Sequence, residues 1–172
     1  MNIKERIISR KVMFRYYYMK NFVVYFCRNE QNIEEITKIE KDVEYGRFET
    51  PKDFLERLEE IYSEDMFEDV EYIKDNVLSK SWDIDMIYIT NMISGYDRYK
   101  DEVVKLVNEK TNTFAFKEMS SIEQAIFLVA YIEYKTIKTP KSIIINEMIE
   151  YAKVFGSKSS PKLVNAILDK II

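Results

Sequence analysis

The side chains that most enzymes rely on are missing from this chain or stand alone in it. There is no histidine and one cysteine, Cys27, in 172 residues. Ser-His and Cys-His nucleophilic pairs are therefore excluded, an internal disulfide is impossible, and a zinc site would need carboxylates alone. The three glycines, Gly46, Gly95 and Gly156, are scattered, so no glycine-rich loop exists to cradle a phosphate or a dinucleotide. The clustered acids Glu59, Glu60, Glu64, Asp65, Glu68 and Asp69 lack the spacing and the glycine of a calcium loop, and read as a solvated face. What remains is the chemistry of binding. Residues 1–28 hold seven basic side chains and one acidic, residues 29–76 six basic and seventeen acidic, within a net charge of −4. A basic end is what a polyanion ligand requires; it is also what a dipolar soluble protein shows when its halves face each other. The run Tyr16-Tyr17-Tyr18 could stack on bases, although tyrosines at helical spacing are expected in a core with their hydroxyls at its rim.

These residues must be positioned by helices. Only three Gly and three Pro occur, few breakers for a chain of this length. Residues 2–28 read as one helix with Ile7, Ile8, Met13, Phe14, Tyr17, Tyr18, Phe22 and Tyr25 inward, and Lys4, Arg6, Arg10, Lys11 and Arg15 at its outer start. Residues 30–80 read as two or three acidic amphipathic helices. Pro51 breaks them, Thr50 caps the one carrying Phe54, Leu55, Leu58 and Ile61, and Ser63 or Glu64 opens the next. Residues 82–110 form a long helix burying Ile84, Ile87, Ile89, Met92, Ile93, Val103, Val104, Leu106 and Val107, with Gly95 at a kink or a close helix crossing. A connection with Phe114 and Phe116 follows.

Three helices close the chain, each with its own start signal. Ser120 and Glu123 make a capping box, while Thr139-Pro140 and Ser160-Pro161 each place an oxygen at N-cap before a proline at the first helical position. Ala125 to Ile132 is apolar almost all round, which marks a buried central helix. The second helix carries Ile143, Ile144, Ile145, Met148, Ile149 and Ala152 and ends at Gly156, read as a left-handed C-cap. The third carries Leu163, Val164, Ile167, Leu168, Ile171 and Ile172. Asn146 and Glu147, and likewise Asn165, are expected to be buried polar ties between helices, since a buried amide left unpaired costs about 1–3 kcal/mol. With 47% hydrophobic and 33% charged residues the chain reads as one soluble domain. Residues 12–26 are interrupted by Arg15, Lys20 and Asn21, so neither a membrane span nor a signal peptide is expected, and the protein is expected in the cytoplasm.

Pro140, Ile145-Asn146-Glu147, Ala152-Lys153, Phe155-Gly156, Ser160, Val164-Asn165 and Leu168-Asp169 fall in the order and spacing of a known family: the chain resembles NusB. The resemblance is specific over about the last fifty residues, weaker over the first twenty-five, and not discernible between about 29 and 81. Near the start, Ser9-Arg10-Lys11 stands at the family's Ala-Arg-Glu motif and Tyr17-Tyr18 at its Leu-Tyr pair, while Ile7 and Ile8 occupy positions that often hold arginine. Phe114 replaces a tryptophan, and Lys117 or Glu118 falls where an arginine is usual. Ile122-Glu123, Ala125 and Glu133 match the central helix; Ser159 stands where relatives often carry an acid and Ala166 where they carry glycine.

The resemblance implies an all-α, NusB-like helical bundle of six or seven helices. Two halves, residues 1–80 and 81–172, would pack into a single domain with no cofactor and no enzymatic activity. It implies a transcription antitermination factor that binds boxA RNA of ribosomal RNA leaders together with NusE, which is also a small-subunit ribosomal protein, in the RNA polymerase antitermination complex. By position, RNA falls to Lys4, Arg6, Arg10, Lys158, Ser159 and Lys162, and the partner to Tyr18 and Glu123. Two alternatives stand beside it. One is a diverged NusB-like protein-binding module without boxA specificity; the other is an RNA-binding domain related to that of ribosomal RNA methyltransferases, although the 172 residues hold no catalytic unit.

Overall fold

The strongest start signal in the sequence opens the helix around which the others pack. Ser120 Oγ accepts from the Glu123 N–H at 3.2 Å and Glu123 Oε2 accepts from the Ser120 N–H at 3.1 Å, the reciprocal capping that the spacing predicts. The computed structural model describes residues 3–22, 30–48, 53, 57, 84–112 and 114–172. Among them are six α-helices: α1 (Ile3–Phe22), α2 (Glu30–Glu44), α3 (Met86–Lys110), α4 (Ser121–Thr136), α5 (Lys141–Phe155) and α6 (Ser160–Ile171), with one 3-10 turn at Phe116–Glu118. Every residue from Ala125 to Glu133 of α4 is buried, and α1, α3, α5 and α6 all pack against it. An all-round apolar surface demands this central place.

α1 departs from the two-faced pattern expected of it. Arg10 and Arg15, expected outside, are buried together with Val12, Met13, Phe14, Tyr16 and Tyr17. The reason is enclosure on several sides. α1 packs on α3 and α4, Phe14 stacks on Tyr151 and Phe155 of α5 with centroids 5.0 and 5.4 Å apart, and Tyr16 donates to Glu40 of α2 at 2.7 Å. A helix enclosed in this way has little outer face left. The tyrosine run is core, as its spacing predicts: Tyr16 and Tyr17 are buried, and the Tyr17 hydroxyl donates to the Met92 carbonyl oxygen at 2.6 Å.

α3 begins at Met86, four residues later than the hydrophobic pattern suggests. Asp85 is the N-cap and accepts from the Tyr88 N–H at 2.9 Å. Gly95 marks a close crossing. A Cβ there would lie 2.6 Å from Ile132 Cγ2 and 3.0 Å from Thr136 Cγ2 of α4. Ile87, expected inside, is 76% exposed.

The turns around α5 differ from expectation by one residue each. Pro140 occupies the N-cap position of α5 and, with no polar side-chain atom, offers no side-chain cap; the Thr139 hydroxyl before it is committed to Glu133. Ser159 rather than Ser160 is the N-cap of α6. Gly156 is extended, with φ −93°, not left-handed. What requires glycine is space: a Cβ would lie 2.6 Å from Ser160 Cβ and 2.7 Å from the Ala152 carbonyl oxygen. Asn146 and Asn165 are exposed, since the apolar stripes Ile144–Met148 and Val164–Leu168 turn them outward; the expected interhelix tie is made by Glu147 alone. Of the connection before α4, Phe116 is buried and Phe114 exposed.

The helices expected to start at Thr50 and at Ser63 or Glu64, the acidic cluster at 59–69, Cys27 and Trp82 lie outside the described residues, as does the boundary expected near Lys80. Among the described residues no helix is long and apolar enough to cross a membrane, and no group of His, Cys, Asp and Glu could hold a metal ion.

Candidate functional site

Two buried carboxylates of α4, Glu123 and Glu133, tie the rest of the bundle to it. They are ten residues apart, about 15 Å along a helix. Each organises a cluster that contains residues expected to bind.

Glu133 is fully buried. Its Oε1 accepts from Arg10 Nη2 at 2.7 Å and from the Thr139 hydroxyl at 2.8 Å. Its Oε2 accepts from Arg10 Nε at 2.7 Å and from the Tyr88 hydroxyl at 2.8 Å. Four donors saturate a carboxylate, and the Arg10 fork makes the strong bidentate pair. Arg10 is 2% exposed, and its Nη1 also meets Glu147 Oε2 at 3.3 Å. Burial by itself lowers the guanidinium's pKa, but the hydrogen bonds and charge of Glu133 outweigh it, and the net shift is upward. Burial, then the charge of Glu133, pushes the Tyr88 phenol well above its ordinary value. The cluster is thus a buried, hydrogen-bonded ion pair flanked by the Tyr88 and Thr139 hydroxyl donors.

The rest of the start of α1 is clasped to the cap of α3. Arg6 Nη2 meets Asp85 Oδ2 at 2.9 Å and its guanidinium lies 4.7 Å from the Tyr88 ring centroid, while Ser9 Oγ accepts from the Asp85 N–H at 2.7 Å. Lys4 and Lys11 are exposed and, seven residues apart, lie on one helix face. Of the residues expected at RNA in this helix, Lys4 is on the surface, Arg6 is engaged with Asp85, and Arg10 is inside. Glu133 was marked in the sequence by its place at the end of an apolar run, where an unpaired carboxylate would be untenable.

Glu123 organises the other cluster and is 9% exposed. One oxygen completes the capping box with Ser120; the other accepts from Ser160 Oγ at 2.7 Å. Ser160 Oγ in turn accepts from the Ser157 N–H at 2.9 Å, and the Ser157 hydroxyl lies 3.0 Å from those of Ser159 and Ser160. The loop carrying Lys158 and Ser159, and the first turn of α6 carrying Lys162, are therefore anchored on Glu123. These three side chains are exposed. Tyr18 is half-buried, and burial raises its phenol's pKa.

α1 and α4 run antiparallel, because Arg10 meets Glu133 while Asn21 shares a groove with Ser120, Ser121 and Gln124. Lys4, Arg6 and Arg10 accordingly lie at one end of the bundle, and Tyr18, Glu123, Lys158, Ser159 and Lys162 at the other. Arg6 and Asn21 are about 22 Å apart along the helix. The structure joins the loop to Glu123, one of the two expected partner residues, and separates it from the basic start of α1.

The family model for NusB, described as the NusB family, matches residues 48–172, which include Glu123, Glu133 and the 157–162 loop. The transcription antitermination protein NusB of Buchnera aphidicola subsp. Cinara cedri is 37% identical over 112 residues, which cover 62% of this chain and 74% of that protein. The protein of the same name from Fusobacterium nucleatum subsp. nucleatum is 27% identical over 138 residues, or 80% of this chain and 84% of that one. The solved structure of T. maritima NusB matches with a TM-score of 0.50 and 22% identity over 81% of this chain and 89% of that one, a likeness of fold.

Proposed function

Because the chain belongs to the NusB family, we propose that it is an RNA-binding transcription antitermination factor that acts with NusE on boxA of ribosomal RNA leader transcripts. The match over residues 48–172 carries this reading. The protein works as a scaffold: it performs no bond chemistry, and holds an RNA segment and a protein partner together for the RNA polymerase antitermination complex. RNA contacts fall to Lys4 and Arg6 at one end and to Lys158, Ser159 and Lys162 at the other. The partner is contacted around Tyr18 and the Glu123 cluster. Arg10 serves indirectly, by seating α1 on α4 through Glu133.

One observation favours a second reading, a protein-binding module that has lost boxA specificity. Both guanidiniums of α1 that fall at the expected RNA positions are paired with carboxylates, and Ile7 and Ile8 stand where relatives often carry arginine. Titration of boxA and scrambled RNA, each with and without NusE, at about 0.1 M salt separates the two. Preferential binding of boxA, strengthened by NusE, is the expected result. Binding of NusE with no measurable RNA affinity leaves the module, and binding of neither removes both.

A further inference from the structure

The turn that joins α4 to α5 holds the one non-glycine residue with positive φ among the described residues, Lys138 at 62°. In the left-handed region a side chain's Cβ crowds the following carbonyl oxygen, and helix ends that need this conformation usually take glycine or asparagine. The chain shows that solution at the end of α2, where Gly46 has φ 63° and the Arg47 N–H returns to the Asp42 carbonyl oxygen at 2.8 Å. At the end of α4 the place after the C-cap Ile137 is held by lysine instead. A strained backbone kept where glycine would relieve it points to a use for the side chain.

Two other lysines stand three residues to either side, and both are committed to acids. Lys135 Nζ is 3.5 Å from Glu102 and 5.4 Å from the Tyr99 ring centroid. Lys141 Nζ is 3.1 Å from Asp169 Oδ1 and donates to the Asp169 carbonyl oxygen at 2.7 Å. Lys138 is exposed and has no ion-pair partner among the described residues. Its place is fixed by its neighbour: Thr139 donates to Glu133 Oε1 at 2.8 Å, and Arg10 Nη2 donates to the same oxygen at 2.7 Å. The turn is thereby pinned against the first half of α1, at the end of the bundle where Lys4 and Lys11 are also exposed.

We propose that Lys138 is a phosphate contact for RNA, presented by the α4–α5 turn beside the basic start of α1. The proposal rests on the RNA-binding reading and adds a cation from outside α1 to an end where Arg6 and Arg10 are taken up by Asp85 and Glu133. An ammonium with no carboxylate to satisfy it can meet a phosphate oxygen without breaking any contact of the fold. The expected protein-partner residues Tyr18 and Glu123 lie at the other end of the bundle, which leaves RNA as the polyanion here.

The full chain is titrated with boxA and with scrambled RNA over a range of salt, and its melting temperature is followed. Lys138→Gly removes the ammonium and gives the turn the residue its backbone favours, so it should melt a few degrees higher while its log-log salt slope flattens by about 0.7. Loss of one counterion-releasing contact corresponds to about fivefold weaker binding at about 0.1 M salt, and for both RNAs alike, because a phosphate contact carries no sequence information. Lys135→Gln, which removes a charge tied to Glu102, should leave the slope as it is. An equal loss in Lys135→Gln would mean that net charge sets the effect and would overturn the proposal. Wild-type RNA binding by Lys138→Gly would overturn it too, whether that variant melts higher, as for a lysine without a use, or lower, as for one that complements the dipole at the helix end. If Lys138→Gly weakens NusE binding and spares RNA, the turn is a protein contact, and the proposal fails while the RNA reading stands. If the wild type binds neither RNA even with NusE present, the RNA reading itself fails and takes the proposal with it.

Discussion

Arg10 donates two hydrogen bonds of 2.7 Å to Glu133 in a site closed to water. Removing one partner strands the other, so Arg10→Met should destabilise the protein by about 3–5 kcal/mol in urea unfolding. Glu133→Leu together with Tyr88→Phe and Thr139→Val removes the stranded carboxylate along with the two hydroxyls that would otherwise lose their acceptor at about 1–3 kcal/mol each, so adding these changes to Arg10→Met should recover much of that loss. A combined variant as unstable as Arg10→Met alone would mean that packing, and not the stranded charge, sets the cost. The residue was legible in type and not in role. Arg10 has the same neighbours in sequence as the arginines of a solvated face, and only the α3, α4 and α5 contacts around α1 distinguish it. Glu123 is a similar case: expected at a partner contact, it is a buried acceptor for Ser120 and Ser160, so reversing its charge would release the 157–160 loop as well as alter any partner contact.

At the scale of elements, two glycines set how closely segments approach. Gly95→Ala replaces a poor helix former with the best one, a gain of about 1 kcal/mol at an unconstrained site. Here the new methyl would sit 2.6 Å from Ile132 Cγ2 and 3.0 Å from Thr136 Cγ2. Both neighbours are β-branched, with little rotamer freedom in a helix to move away. Overpacking of this kind costs about 1–3 kcal/mol, so the melting temperature should fall by several degrees; a rise would show that α3 and α4 can part without penalty. The sequence stated the glycine at 95 as a kink or a crossing, because a glycine inside a long apolar pattern has few other uses. At 156 it pointed to a left-handed turn, and missed that the Ala152 carbonyl oxygen and Ser160 press on the site from either side. The capping box of α4 was legible because both partners lie within one turn. The start of α3 was obscured by Ile84, which is buried ahead of the Asp85 cap and extends the apolar pattern beyond the helix.

At the scale of the whole molecule, the cations expected to meet RNA fall at two ends of the bundle about 22 Å apart along α1. A single strand contacting both ends would be held by two separate groups of charges, and their effects should add, because sites so far apart are coupled by no more than about 0.3–0.5 kcal/mol. Each phosphate neutralised on a single strand contributes a log-log salt slope near −0.7, so about four contacts give roughly −3. Lys4→Ala with Lys11→Ala removes two exposed cations at one end, and Lys158→Ala with Lys162→Ala two at the other. All four side chains are outside the core, so the fold should survive both changes. If one RNA segment runs between the ends and meets both lysines of each pair, each pair should flatten the slope by about 1.4 and the four changes together by nearly twice that. If the basic start of α1 is a solvated face, the first pair will leave the slope untouched and the second will carry the whole effect, which places RNA and partner side by side on the loop anchored by Glu123.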